Sequence, residues 1–411
     1  MTARIRILLR DFSDFEQALA AEIEAFHRSQ AKMRVDAQTV TLRELHEEIF
    51  ARGGLREGRW DLSFFVTDWL AEAMEEGLLE DLGPYLKGVP DWPAGWPASL
   101  TEPVCFGEAV SSLPWHDGPE CLIYRCDWFE DGAEREAFRR RYGYDLEPPR
   151  TWQQFEDVAR FFTRPEERRF GTLVAAYPDG HNTLYDFALQ LWSRGGSLED
   201  AAGRPWIESA EAVAALDFYR RLVRDPEMCD PASPQLNSTQ SGDLFLSGKI
   251  ALMVNWFGFA ARCDRAGSPL GGKVALAPIP ADSGQGSVSL SVFWTLGMAR
   301  GSHEKGAAWE FLRFAAQPEV DRARAEHGTV PVRFSSWRDE ELRRQAPCYR
   351  QIERISLGAR RLPRTRHLAA FAAVIDGVIR EALTTQEASS AILSRAQRRL
   401  VERGIQFAGS P

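Results

Sequence analysis

The first 82 residues alternate between two hydrophobic periods. Ile5 to Leu9 is apolar at consecutive positions, Phe15, Leu19, Ile23 and Phe26 recur at helical spacing, and Met33 to Val35 reads as a second strand. Leu42, Leu45 and Ile49 then mark a second helix and Leu62 to Val66 a third strand. Continuous apolar runs predict strands covered on both faces, as in a parallel sheet flanked by helices. A βαβαβ order with short connections requires right-handed crossovers, so a doubly wound α/β lobe is expected. The stretch LGPYLKGVPDWPAGWPAS is rich in Gly, Pro and Trp and reads as irregular surface.

Beyond it, ECLIYRCDWF reads as a strand running into a helix over Asp127 to Arg141, and Thr151 is an N-cap candidate for the helix of TWQQFEDVARFF. Further helices are expected at Leu184 to Ser193, Ala210 to Val223, Lys305 to Ala316, His367 to Leu383 and Glu387 to Val401. Strands are expected at Gly171 to Ala176, Ile250 to Val254, Lys273 to Ala277 and Val288 to Met298. There is no long flexible linker, repeat or low-complexity segment.

At 411 residues the chain exceeds one ordinary core, and two domains are the natural expectation. No apolar run approaches the ~18 residues of a membrane span. A net charge of -9 argues against a nucleic-acid backbone binder, although Arg354 to Arg366 is locally basic. MTARIRILLRD already reads as a core strand and lacks the h-region of a secretory signal, which leaves a cytoplasmic location open beside removal of a leader. The six cysteines form no C-x-x-C pair. The 13 tryptophans exceed what core packing usually asks for.

Catalytic and cofactor motifs are missing. LSGKIAL lacks P-loop glycine spacing, SGQGSVS is a very weak dinucleotide signal, and LHEEIF has no second histidine for a zinc site. No nucleophile elbow occurs, and the seven histidines show no metal spacing. A glycosidase remains open, because two carboxylates in an aromatic cleft leave no short motif.

Read in order, several segments resemble family 1 extracellular solute-binding proteins of ABC importers, the group containing maltose/maltodextrin-binding protein. RWDLSFFVTDWLAEAMEEGLLEDLGPYL is similar to the family's strand, strand-end acidic or aromatic residue, helix and G-L-L-x-D-L. FGEAVSSLPWHDGPECLIYRCDWFED resembles the stretch that ends in L-x-Y-N-x-D-L-F, with Arg125 where the family usually has Asn. PPRTWQQFEDVA, FLSGKIALMVNWFG and HEKGAAWEFLRFAAQPEV follow in the family's order. The resemblance implies two doubly wound α/β lobes joined by crossing hinge segments, with the ligand cleft between them and hinge closure around the solute. Residues 1–112 and 278–330 are expected in the N-terminal lobe and 113–277 and 331–411 in the C-terminal lobe. Crossings are expected near Ser111 to Trp115, Ala277 to Pro280 and Thr329 to Arg333.

The implied function is non-enzymatic binding of a mono- or oligosaccharide and its delivery to the membrane permease subunits of an ABC importer. A monomer in the periplasm or another extracytoplasmic space is expected, with no cofactor, metal, catalytic residue or nucleic-acid partner. A glycoside hydrolase or transferase and a solute sensor on the same fold are the alternatives. A sugar needs aromatic platforms for its C–H faces and carboxylate or amide partners for its hydroxyls. The resemblance puts Asp11 and Phe12 after the first strand and Asp68 and Trp69 after the third at ligand-contacting positions. For Asp11 and Asp68, helix capping is the competing reading. Tyr177, His181, Asn182 and Tyr185 fall at a strand end and helix start, Asn255 and Trp256 follow a strand, and Trp115 and Trp294 lie beside crossings. Only one of Phe293 and Trp294 can face the cleft, since neighbours in a strand point to opposite sides. Trp152, Trp192, Trp206 and Trp309 sit in or beside helical patterns and are assigned to cores or surfaces.

Overall fold

The computed structural model describes residues 3–282 and 284–407. The chain forms two compact α/β units, Met1–Pro119 with Ser291–Leu357, and Glu120–Leu290 with Gly358–Pro411.

The first unit is built on a five-stranded sheet in the order Met33–Val40, Ala3–Arg10, Leu62–Val66, Trp294–Met298, Leu113–His116. The first three strands are parallel, as the βαβαβ pattern predicts, and Leu62–Val66 is buried at every position. Trp294–Met298 is antiparallel to both its neighbours, so one strand runs against the other four. The C-terminal ends of the four strands and Trp294, the first residue of the reversed one, therefore share one sheet edge.

The second unit has a four-stranded sheet in the order Val274–Ala277, Glu120–Arg125, Ile250–Trp256, Phe170–Thr172. Here Glu120–Arg125 is the reversed strand. One edge of this sheet thus collects Ala277, Glu120, Trp256 and the chain leaving Thr172. In each unit the reversed strand follows directly on a passage of the chain from the other unit. The chain enters at that edge and its first strand must run away from it.

These passages correct the expected lobe boundaries. The chain crosses at Pro119/Glu120, Leu290/Ser291 and Leu357/Gly358. Leu113–His116 stays in the first unit because it pairs with Trp294–Met298. The segment near Thr329 to Arg333 is no crossing either. Val330 N–H donates to His116 Nδ1 at 2.9 Å, Val330 O accepts from Asp117 N–H at 3.1 Å, and Val332 N–H donates to Asp321 at 2.9 Å. After Ala277 the chain is held in the second unit, where Ala281 and Asp282 N–H donate to Arg150 O and Ser193 O. Ser289–Leu290 and Ala359–Arg360 then pair in parallel within the second unit, so two of the passages run side by side.

Elsewhere the differences are local. The helix expected over Asp127 to Arg141 breaks into Cys126–Glu130 and Gly132–Tyr142, because Asp131 turns extended and caps the second piece through Ala133 and Glu134 N–H. Arg125, where the family usually has Asn, is buried. Its Nε and Nη2 donate to Asp127 at 2.7 and 2.6 Å, and its guanidinium lies 4.3 Å from the Trp128 ring, which Arg169 also approaches at 3.7 Å. The irregular Gly-Pro-Trp segment holds a 3-10 turn at Gly83–Gly88 and a short helix at Ala98–Thr101. None of the six cysteines forms a disulfide.

Candidate ligand-binding site

The candidate residues of the first unit gather on the shared sheet edge. Thr67–Trp69 is a 3-10 turn leading into the helix Leu70–Glu75, and neither start has a side-chain cap. Asp68 lies inside the turn, partly exposed, so the capping reading of this carboxylate fails. Asp11 does not cap the next helix either: Phe12 occupies that position without a side-chain bond, and Asp11 is exposed. The turn is clasped to the reversed strand, since Thr67 N–H donates to Phe293 O at 3.0 Å and Phe293 N–H to Thr67 Oγ1 at 3.3 Å.

This clasp sets the aromatic order of the edge. Phe293 is buried and Trp294 half-buried, which resolves the alternative between them in favour of Trp294 as the accessible ring. Trp69 is only 3% exposed; its ring meets Trp294 edge-on at 6.2 Å and His46 at 5.1 Å. It supports Trp294 from behind. Phe15 meets Trp294 at 5.6 Å and Phe12 at 5.0 Å, and the Arg10 guanidinium lies 5.3 Å from Trp294 and 5.6 Å from Phe12.

Trp115 departs from expectation. It is 1% exposed, packs edge-on against Phe64 at 4.7 Å, and donates from Nε1 to Glu22 at 3.1 Å. Arg324, equally buried, donates to the same Glu22 oxygen at 2.8 Å. Trp115 is a core residue closing a buried ion pair, and it offers no ring to a ligand. Beyond it, His116 is held neutral, its pKa pushed down to about 3 by burial and by Arg10 and Arg324, which suits its acceptance of the Val330 N–H. Asp117 is 1% exposed, and burial pushes its carboxyl up to about 7, eased by the Gly118 N–H and the Ser356 hydroxyl.

In the second unit, Asp179 accepts from the N–H groups of His181 and Asn182, both at 3.0 Å, and so caps the helix Asn182–Trp192. The Asn182 side chain also donates to Asp179 and is buried. Asn255 is likewise consumed by the protein: Nδ2 donates to Ser241 Oγ at 3.0 Å and Oδ1 accepts from Trp256 N–H at 2.8 Å. These two amides hold the backbone and do not present themselves to a solute. Trp256 remains half-buried, with Tyr185 edge-on at 5.5 Å; Tyr185 Oη is 2.9 Å from His181 Nδ1, and Tyr177 is exposed.

Four carboxylates accompany these rings and were not expected from sequence: Glu120, Asp179, Asp186 and Asp376. Asp376, from the helix Leu368–Thr384, accepts from Gly180 N–H at 2.9 Å and from the Thr183 hydroxyl. Burial raises its pKa, with Asp179 adding to the effect. Asp186 is pushed up to about 8 by burial and the charge of Asp179, eased by the Tyr219 hydroxyl at 3.3 Å. Glu120 is raised well above the ordinary carboxylate range by burial and then by Asp186. Only the pairing of Glu120 with Trp256 across the sheet brings the first of these to the site, and a linear pattern does not show that pairing. Among the described residues no group of His, Cys, Asp and Glu side chains is arranged to hold a metal ion.

The family model of the bacterial extracellular solute-binding proteins matches residues 13–322. The chain belongs to that family. The family's description and the names of relatives and neighbours are those of solute-binding proteins, several of them of ABC transporters. This solute-binding protein is 24% identical over 340 residues to a "Probable ABC transporter-binding protein" of Deinococcus radiodurans, covering 80% of this chain and 77% of the relative. It is 24% identical over 352 residues to the "Maltotriose-binding protein" of Pyrococcus abyssi, covering 83% and 70%. Its fold matches the maltose-bound MalE3 of T. maritima with a TM-score of 0.86 and 24% identity over 98% of this chain and 100% of that one. A ribitol-bound solute-binding protein of Agrobacterium radiobacter follows at 0.85 and 17% identity, with 98% of each chain covered. The solute-binding protein thus has the two-lobed α/β fold of these neighbours. Among its described residues no helix is long and apolar enough to cross a membrane.

Proposed function

We propose that this solute-binding protein binds a carbohydrate, a mono- or oligosaccharide or a polyol, and delivers it unchanged to the permease subunits of an ABC importer outside the cytoplasm. The observation that carries the reading is the pair of half-buried indoles, Trp294 and Trp256, each at the corresponding sheet edge of its unit and each backed by a buried aromatic, Trp69 or Tyr185. Flat apolar rings beside carboxylates match the C–H faces and hydroxyls of a sugar. The ligands of the neighbours, maltose and ribitol, support the same class. Asp68 and Asp11 in the first unit and His181 and Tyr177 in the second supply polar groups at the two edges.

A thermal-shift screen over sugars and polyols tests this, because a ligand at 100 times its Kd stabilises the native state by about 2.7 kcal/mol. A hit is then incubated with the protein and recovered. An intact ligand supports binding, and cleavage products would transfer the protein to the hydrolases. A complete panel of mono- and oligosaccharides and polyols without a shift would sink the carbohydrate reading.

A further inference from the structure

Four carboxylates of the second unit act on one another, Asp186 on Glu120 and Asp179 on both Asp186 and Asp376. Burial is the largest cause of the raised pKa at Glu120, Asp186 and Asp376, and the one charge that eases Asp376 is His181. Asp179 and Asp376 are occupied by backbone and hydroxyl donors. Glu120 is different. It is 4% exposed, and its Oε2 is buried without a hydrogen-bond partner. A buried carboxylate oxygen left in that state costs free energy unless something else supplies a donor.

The direction of Glu120 follows from the sheet. It stands directly opposite Trp256 in the antiparallel pairing, which puts both side chains on the same face as close neighbours. Tyr185 leans edge-on against Trp256, and the next residue along that helix is Asp186, whose charge acts on Glu120. One face therefore combines an accessible indole with two carboxylates that repel each other. The groups around this pair are Cys121 on the strand, Asp179 and His181 in the capping loop, Tyr185 on the helix Asn182–Trp192, Tyr219 on the helix Ala210–Arg224 and Asp376 on the helix Leu368–Thr384. His181 is the sole base among them.

Resting on the carbohydrate reading, we propose that this face takes a protonated amine, so that the ligand is a carbohydrate bearing an ammonium group, an amino sugar or an aminated oligosaccharide. An ammonium group has three donors and one positive charge. It satisfies the Glu120 oxygen, relieves its repulsion with Asp186, and is attracted to the face of the Trp256 ring. A neutral hydroxyl supplies a donor and leaves the repulsion in place. Because burial pushes Asp186 up to about 8 and raises Glu120 as well, the ammonium displaces proton as it binds.

The test is calorimetric titration at pH 7 with matched pairs: glucosamine and glucose, galactosamine and galactose, and chitobiose with and without its acetyl groups. The amine should bind at least tenfold more tightly than its neutral partner in the pair whose ring stereochemistry fits. Titration in buffers of different ionisation enthalpy should show proton release. Glu120→Gln and Asp186→Asn should each reduce the preference below threefold, with folding checked by circular dichroism and melting. If neutral sugars bind as well as or better than the amines, the ammonium proposal falls and the carbohydrate reading stands. If the amine preference survives both substitutions, the face has been wrongly assigned and the proposal falls. If none of these or a wider set of neutral and aminated sugars binds, both readings fail together.

Discussion

The two sheet edges carry the same aromatic device in opposite electrostatic settings. In the first unit Trp294 is flanked by the Arg10 guanidinium and backed by Trp69 and Phe15. In the second, Trp256 is flanked by Glu120 and backed by Tyr185 beside Asp186. The first edge thus presents a ring with a cation against it, and the second a ring with acids around it. One fold principle, a strand reversed at the edge where the chain enters, has positioned both. The difference teaches that backbone topology determines where an aromatic platform stands, while the neighbours contributed by adjacent strands and helices determine what kind of solute that platform can accept.

The largest expected effect separates true edge residues from core ones. Trp115→Ala should lower folding stability by about 3–5 kcal/mol, because it opens a cavity beside Phe64 and removes a donor from buried Glu22. Urea denaturation checks this; a loss below about 1 kcal/mol would return Trp115 to the ligand face. Next, Trp256→Ala should weaken ligand binding by about 2–3 kcal/mol, roughly thirtyfold or more, as expected for a central aromatic contact. Trp309→Ala, in a helix core, should act on melting temperature instead. Equal affinities for the two folded variants would show that the second edge does not hold the solute.

Asp68→Asn comes third. Since Asp68 caps neither the turn nor the following helix through its side chain, the variant should keep its melting temperature without ligand and bind at least fivefold more weakly, about 1 kcal/mol. Wild-type affinity would leave the first edge to its rings alone. The smallest effect concerns Asp117. Its carboxyl ionises near pH 7 in the fold but near 4 when unfolded, so between those values the unfolded chain loses its proton first. Native stability falls as pH rises through that window and levels off above about pH 8. Asp117→Asn should remove this slope, so its melting temperature relative to wild type should be higher at pH 8 than at pH 5. A difference independent of pH would mean that Asp117 is ionised throughout.

Much of the fold was legible where local pattern and tertiary setting agree. The strands Ala3–Arg10 and Leu62–Val66 and the helices at Ala210–Arg224, Lys305–Ala315 and Leu368–Thr384 lie within a residue or two of their predicted bounds, while the strand read at Met33 to Val35 runs on to Val40, its added residues mostly exposed and polar. Of the four tryptophans read as core or surface, Trp152, Trp192 and Trp309 are buried and Trp206 is exposed. The site was only partly legible. Strand-end position pointed to Asp68 and Trp256, and nearness to a crossing to Trp294, and all three stand at the sheet edges of their units, but nothing local distinguishes a tryptophan at such an edge from Trp115, buried by an ion pair whose partners lie far away in sequence. Asn182 and Asn255 show the same limit, since an amide after a strand or at a helix start can serve the backbone or a solute. Glu120 was passed over because its importance arises from a strand 134 residues away, as the pairing of its neighbours Cys121 and Asn255 shows.

The reversed strand Trp294–Met298 also sets a timetable for the growing polypeptide. It lies between Leu62–Val66 and Leu113–His116, so those two strands have no joining partner until it has been synthesised. At translation speeds of ~5–20 residues per second, that interval after His116 lasts roughly 10–40 s. For all of it, the apolar margin of Leu62–Val66 is open to other chains. A sheet assembled this way can pair its three parallel strands early and is completed late, and a cellular factor that shields that margin on the nascent chain would act within this interval.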